Sequence, residues 1–71
     1  MLLTSQRYDI TVQIGMLGTA KDAETKKNII GSLFSEYTLE QLGTVIEEMK
    51  NGWIGNVGGG ARILARIIAQ F

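Results

Sequence analysis

The chain has 71 residues, with seven basic and seven acidic side chains that sum to zero net charge, and it contains no His, Cys or Pro. This composition excludes disulfides and thiolate metal sites, removes the commonest general base, and gives no net field that would attract nucleic acid. We therefore predict a single domain over 1–71 that holds no metal and no cofactor.

The N-terminal segment fits two structures. Its apolar residues alternate with polar ones, which is typical of a strand over 8–14. As a helix over 4–17, the segment has two apolar stripes, so that it would be buried on two sides. One stripe contains Leu3, Ile10, Ile14 and Leu17, and the other contains Tyr8, Val12 and Met16. We favour the helix because no other segment is a convincing strand, and we retain an α+β alternative in which the strand pairs across a dimer.

A second helix is predicted over 22–36, with Thr19 or Asp22 as its N-cap. Lys26 falls inside its apolar arc, where the stem could pack while the ammonium group reaches water. The alternative is that Lys26 contacts an anionic ligand or an acidic partner. The short break after this helix predicts an antiparallel hairpin with the next one. Its apolar face contains Ala23, Ile29, Ile30, Leu33, Phe34 and Tyr37.

The third predicted helix, over 38–51, has the clearest signals. Thr38 and Gln41 have the spacing of a capping box, and Gly52 stands where a helix C-terminal glycine belongs. Trp53 continues the apolar stripe by one step, so we expect it in the core or, if exposed, at the centre of an interface. The stripe itself contains Leu39, Leu42, Val45, Ile46 and Met49.

A glycine-rich stretch over 55–60 precedes the last predicted helix, over 61–71. Ala61 and Arg62 stand where a nucleotide-hydrolysing loop requires Lys and then Ser or Thr, so we reject that function. Two interpretations stay open: a hinge that lets the last helix reach a neighbouring protomer, or an anion site built from backbone N–H groups. The residues of such a site would be Gly58, Gly59, Gly60, Arg62 and Arg66, together with Lys26.

These elements predict an all-α fold of three to four short helices in a homo-oligomer, because so short a chain buries little surface by itself. No enzyme is expected, since no Ser or Thr has an activating base and the adjacent Glu47 and Glu48 point about 100° apart on a helix. The expected interface residues are Tyr8, Val12, Trp53, Ile63, Ile67 and Phe71.

The function expected from these features is non-catalytic binding of a macromolecular partner or of a small phosphate- or nucleotide-like anion. Accessory proteins of phages and mobile elements often sequester targets in this way, which is an analogy only. No apolar run reaches the roughly 18 residues of a membrane span and no signal peptide is evident, so no membrane contact and a cytoplasmic location are expected.

Two alternative functions remain at this stage. A ribbon-helix-helix DNA-binding regulator would use the strand over 8–14 and present Asp9, Thr11 and Gln13 to the major groove. The acid in that row and the surplus of acids in the helices behind it make nucleic acid an unfavoured partner. The second alternative, a structural assembly subunit, needs no binding site beyond its contacts with itself.

Overall fold

The computed structural model describes residues 2–50 and 58–70 of the chain. Its described part is all α, which confirms the predicted fold class, and the alternative strand over 8–14 is wrong because a single helix runs through that range. The alternation that favoured a strand arises from two apolar stripes on opposite sides of one helix. The helices are α1 (Thr4–Thr19), α2 (Ala23–Glu36), α3 (Leu39–Lys50) and α4 (Gly58–Ala69).

Helix α1 lies at the centre of the fold. It packs most extensively on α4, and α2 and α3 also contact it. Three residues of its first predicted stripe, Ile10, Ile14 and Leu17, are completely buried, at spacings of four and three residues that keep side chains on one helix face. Leu3, which the sequence placed on the same stripe, is instead 62% exposed, because it precedes the helix as its N-cap. The fully buried side chains of the core are Ile10, Ile14, Leu17, Leu33, Leu42, Val45 and Leu64.

The boundaries of α2 and α3 agree closely with the ranges predicted from the sequence. Asp22 is the N-cap of α2, as one of the two predictions had it. The capping box of α3 is present, because Gln41 N–H donates to Thr38 Oγ1 at 3.1 Å and Thr38 N–H donates to Gln41 Oε1 at 3.0 Å. Gly52 and Trp53, which were expected to continue this element, lie outside the described residues.

The structure differs from the sequence predictions in the packing of α2 on α3, in the exposure of two apolar residues and in the start of α4. The two helices α2 and α3 do not form a packed hairpin, because α2 packs mainly on α1, and α3 packs on α4 and α1. Leu39 and Ala23, both assigned to apolar faces, are exposed, and each is the first residue of its helix. Helix α4 begins at Gly58, three residues earlier than predicted, so three glycines form its first turn.

Candidate functional site

An exposed apolar stripe runs along the outer side of α1. Its members are Tyr8, Val12 and Met16, whose exposed fractions are 71%, 41% and 51%. We call these three residues the outer stripe. They follow one another at four-residue spacing, so they form a continuous row over more than two turns. The positions beside them on the same face, Ser5 and Thr19, are exposed and uncharged.

On the helical wheel of α1, the ionisable residue closest to the outer stripe is Asp9. Two side chains donate hydrogen bonds to its carboxylate. The Tyr37 hydroxyl donates to Asp9 Oδ2 at 2.5 Å, and Gln13 Nε2 donates to the same oxygen at 3.0 Å. Gln13 Nε2 also donates to Glu36 Oε1 at 3.3 Å. These hydrogen bonds connect the C-terminal end of α2 to α1, and through them the Asp9 carboxylate faces α2.

The hydrogen bond to Asp9 also affects the phenol of Tyr37. Because the neutral hydroxyl is the donor, ionisation would break the bond and place two negative charges together. This hydrogen bond, with partial burial and the charges of Asp9 and Glu36 adding to it, raises the pKa of Tyr37 to about 12. Tyr37 is therefore a structural residue of the α1–α2 contact.

The residues of the predicted anion site are separated by the fold. The first turn of α4 contains Gly58, Gly59 and Gly60. These glycines are therefore helical, whereas the sequence predicted that they lie in a loop. Gly60 is buried against α1, which takes its backbone away from solvent, while Gly59 is exposed. Arg62 and Arg66 are exposed one turn apart on α4. Lys26 is half-buried on α2, a helix that packs on α1 and makes at most slight contact with α4.

The predicted interface residues have different environments. Tyr8 and Val12 are exposed in the outer stripe, whereas Ile63 and Ile67 are half-buried on α4. Trp53 and Phe71 lie outside the described residues. The structure thus leaves α1 as the helix with the largest exposed apolar side chains among those described.

One polar contact between helices was not predicted from the sequence. Arg7 Nη2 of α1 lies 3.1 Å from Glu48 Oε2 of α3, and both side chains are about one-third exposed. The other groups of this pair, Arg7 Nε and Glu48 Oε1, are buried and have no hydrogen-bond partner among residues 2–50 and 58–70. A shallow cavity of about 210 Å³ adjoins Arg7, and its other lining residues are Leu2, Glu40, Gln41 and Thr44. The two charges are far apart in sequence, so no local pattern connects them.

No family model, curated protein or solved structure matches this chain. Across the part of the chain that is described, no helix combines the length and apolar character needed to cross a bilayer. The same part contains no group of three acidic side chains arranged to hold a metal ion.

Proposed function

We propose that this chain is a non-catalytic binding protein that works as a homo-oligomer. The observation that supports this proposal is the outer stripe of α1, an apolar row that is exposed in the single chain. Large contiguous patches of exposed apolar surface mark interaction sites, and this row supplies the centre of such a patch. Tyr8 is the type of residue that anchors interfaces, because it combines a large apolar ring with a polar hydroxyl.

Burial of the outer stripe would stabilise an assembly through the hydrophobic effect. Each Å² of apolar surface removed from water contributes about 25 cal/mol. A chain of 71 residues has a small core, so additional apolar burial is a considerable gain for its stability. Self-association is the stabilising device that remains for a chain without Cys or His.

The proposed target is either a macromolecule or a small phosphate- or nucleotide-like anion. Arg62 and Arg66 support this part of the proposal, because they are exposed side by side on α4. Guanidinium groups donate charge-assisted, often bidentate hydrogen bonds to phosphate and carboxylate. Gly59 is exposed near them in the first turn of α4, where the helix dipole favours an anion.

The structure takes away the support for a DNA-binding regulator. That function required a strand over 8–14, which is helical. Two of its three base-reading residues, Asp9 and Gln13, are hydrogen-bonded to each other. The third, Thr11, donates its hydroxyl to the Arg7 carbonyl at 2.8 Å. A structural assembly subunit remains as an alternative, and it would share the oligomeric state but would bind no anion.

Light scattering at micromolar concentration tests the self-association. We expect a mass of at least twice the 7.8 kDa of one chain. Val12→Lys places a charge at the centre of the outer stripe and should reduce the mass to that of a monomer without loss of helical circular dichroism. Asn28→Lys adds the same charge at an exposed position of α2 and should leave the oligomer intact. A monomeric wild type would overturn the proposal.

A further inference from the structure

We propose that the outer stripe packs against the outer stripe of a second copy, with the two α1 helices antiparallel and a two-fold axis passing beside Val12. This inference rests on the self-association proposed above and specifies its geometry. In such an interface the same surface patch serves both copies, as in most homodimers.

The position of Val12 in α1 supports the antiparallel arrangement. The helix runs from Thr4 to Thr19, so Val12 lies at its middle. Rotation about an axis at Val12 therefore places each end of one α1 beside the opposite end of the other. The two helices then overlap along their full length of about 24 Å.

The ends of α1 provide an electrostatic reason for the same arrangement. Its first turn contains no acidic residue and its last turn contains no basic one. The partial charges of the helix dipole are thus not compensated by side chains of α1. Antiparallel pairing brings the positive end of each helix near the negative end of the other, whereas parallel pairing places like ends together.

The side chains of the stripe are complementary in this register. On a helical wheel, Tyr8 and Met16 lie about 40° to either side of Val12. The antiparallel pair brings Tyr8 of one copy level with Met16 of the other, and next to its Gly15. A Cβ added at Gly15 would have open space around it, so this position is a notch at the surface. The ring of Tyr8 can fill that notch and contact the sulfur of Met16, a favourable aromatic contact.

The charges around the outer stripe favour a second copy over a charged partner. The stripe has no ionised side chain, and the nearest one, Asp9, is hydrogen-bonded to Tyr37 and Gln13. The stripes of two copies therefore bring no charge directly opposite another, and the stripe offers no charge by which to select another macromolecule. A standard interface covers about 800 Å² per partner. That area is about a sixth of the 4795 Å² accessible surface of the chain. In the proposed dimer the outer stripe forms the centre of the interface, and the surface beside the stripe completes the interface.

Cysteine cross-linking tests the geometry, because the chain has no native Cys. Three exposed positions of α1 are used, each changed separately: Ser5→Cys, Val12→Cys and Thr19→Cys. In the proposed dimer, Val12→Cys faces its own copy across the axis and should form a disulfide-linked dimer on mild oxidation. Ser5→Cys lies level with Thr19→Cys of the other copy, so a mixture of these two variants should cross-link with a short bis-maleimide reagent.

The variants used alone distinguish the antiparallel pair from a parallel one. Two Ser5→Cys chains lie about 21 Å apart in the antiparallel pair, since fourteen residues separate the two levels, and should not cross-link. In a parallel pair they would be adjacent and would cross-link strongly, which would overturn the inference while self-association stands. A dimer by light scattering in which no variant cross-links would also overturn it. A monomeric wild type would instead overturn the proposed function.

Discussion

Gly60 of α4 lies against Gly18 of α1 so closely that neither position has room for a side chain. A Cβ on Gly60 would overlap the carbonyl oxygen of Ile14 and would lie 2.8 Å from the Gly18 nitrogen. A Cβ on Gly18 would lie 2.8 Å from the Gly60 nitrogen. These neighbours are backbone atoms, which cannot rotate away as a flexible side chain would. The two glycines therefore permit the close crossing of the central helix and α4.

We expect Gly60→Ala to destabilise the protein by about 3 kcal/mol, at the upper end of the usual cost of overpacking. Gly59→Ala is the matched control, because a Cβ there meets no atom of another described helix within 4 Å. That variant should be stabilised by up to about 1 kcal/mol, since Ala is the better helix former. Chemical denaturation of the two variants measures both effects. Equal stability of the two would show that α4 does not cross α1 at Gly60.

The α3 helix was predictable because its signals are local, whereas the α4 crossing was not. A capping box and a stripe at helical spacing specify α3 without knowledge of the remaining chain. The role of Gly60 depends on which helix crosses it, and that is decided by packing at long range. The sequence also left the secondary structure of α1 ambiguous, because two apolar stripes on one helix match a strand pattern as well as a helix pattern.

The same distinction between local sequence signals and long-range packing applies to the candidate surfaces. Tyr8 and Val12 were predicted as interface residues from the second stripe of α1, and the structure leaves them exposed. The Arg7–Glu48 ion pair and the Tyr37–Asp9 hydrogen bond join residues that are far apart in sequence. No spacing rule connects such pairs, so they become visible only when the helices have packed.

We expect Leu42→Ala to destabilise the protein by about 2–4 kcal/mol, and Ile46→Ala by a similar amount, as for buried aliphatic residues in general. Leu42 is completely buried and Ile46 is 5% exposed. Leu39→Ala on the same helix provides the comparison, because Leu39 is 40% exposed and its truncation should cost well under about 1 kcal/mol. Urea unfolding of the three variants measures these differences. A loss below about 0.5 kcal/mol for Leu42→Ala would mean that α3 presents a different face to the core.

The hydrogen bond between Tyr37 and Asp9 predicts a change of stability in alkaline solution. The pKa of Tyr37 is raised from 10.0 to about 12 in the folded protein. The unfolded chain therefore loses the phenol proton first, so the contribution of this bond to stability is complete below pH 10 and is lost as the pH rises toward 12. We expect this part of the alkaline loss to disappear in Tyr37→Phe.

Spectrophotometric titration provides a direct check on Tyr37. The chain has two tyrosines, so Tyr8→Phe leaves Tyr37 as the one remaining phenol. Because the ring of Tyr8 is mostly exposed, the substitution should not disturb the fold. The midpoint of tyrosinate formation in this variant should lie well above 10. A midpoint at 10 would show that the phenol does not donate to Asp9 in solution.

We expect the Arg7–Glu48 pair to contribute about 0.5–1 kcal/mol, because its side chains are partly exposed and screened by solvent. Arg7→Glu places two carboxylates together and should destabilise the protein, and Glu48→Arg should do the same with two guanidinium groups. The double variant Arg7→Glu with Glu48→Arg should recover most of the loss. A double-mutant cycle at low and high salt measures the coupling, which salt should weaken. Strictly additive losses would show that the two groups do not interact.

Arg62 is the side chain of α4 that we expect to contact an anionic ligand. Thermal unfolding is measured with and without inorganic phosphate or nucleotides, for wild type, Arg62→Ala and Lys27→Ala. If Arg62 binds the anion, its removal should weaken binding by about 1.5–3 kcal/mol, the range for a charge-assisted hydrogen bond. The stability without ligand should change little, because Arg62 is exposed and a cation near a helix N-terminus gains nothing from the dipole. Lys27→Ala removes an exposed cation of α2 and should bind as wild type does. If no anion raises the melting temperature of the wild type, the anion contact is refuted, and a structural assembly subunit becomes the better description of an oligomeric chain.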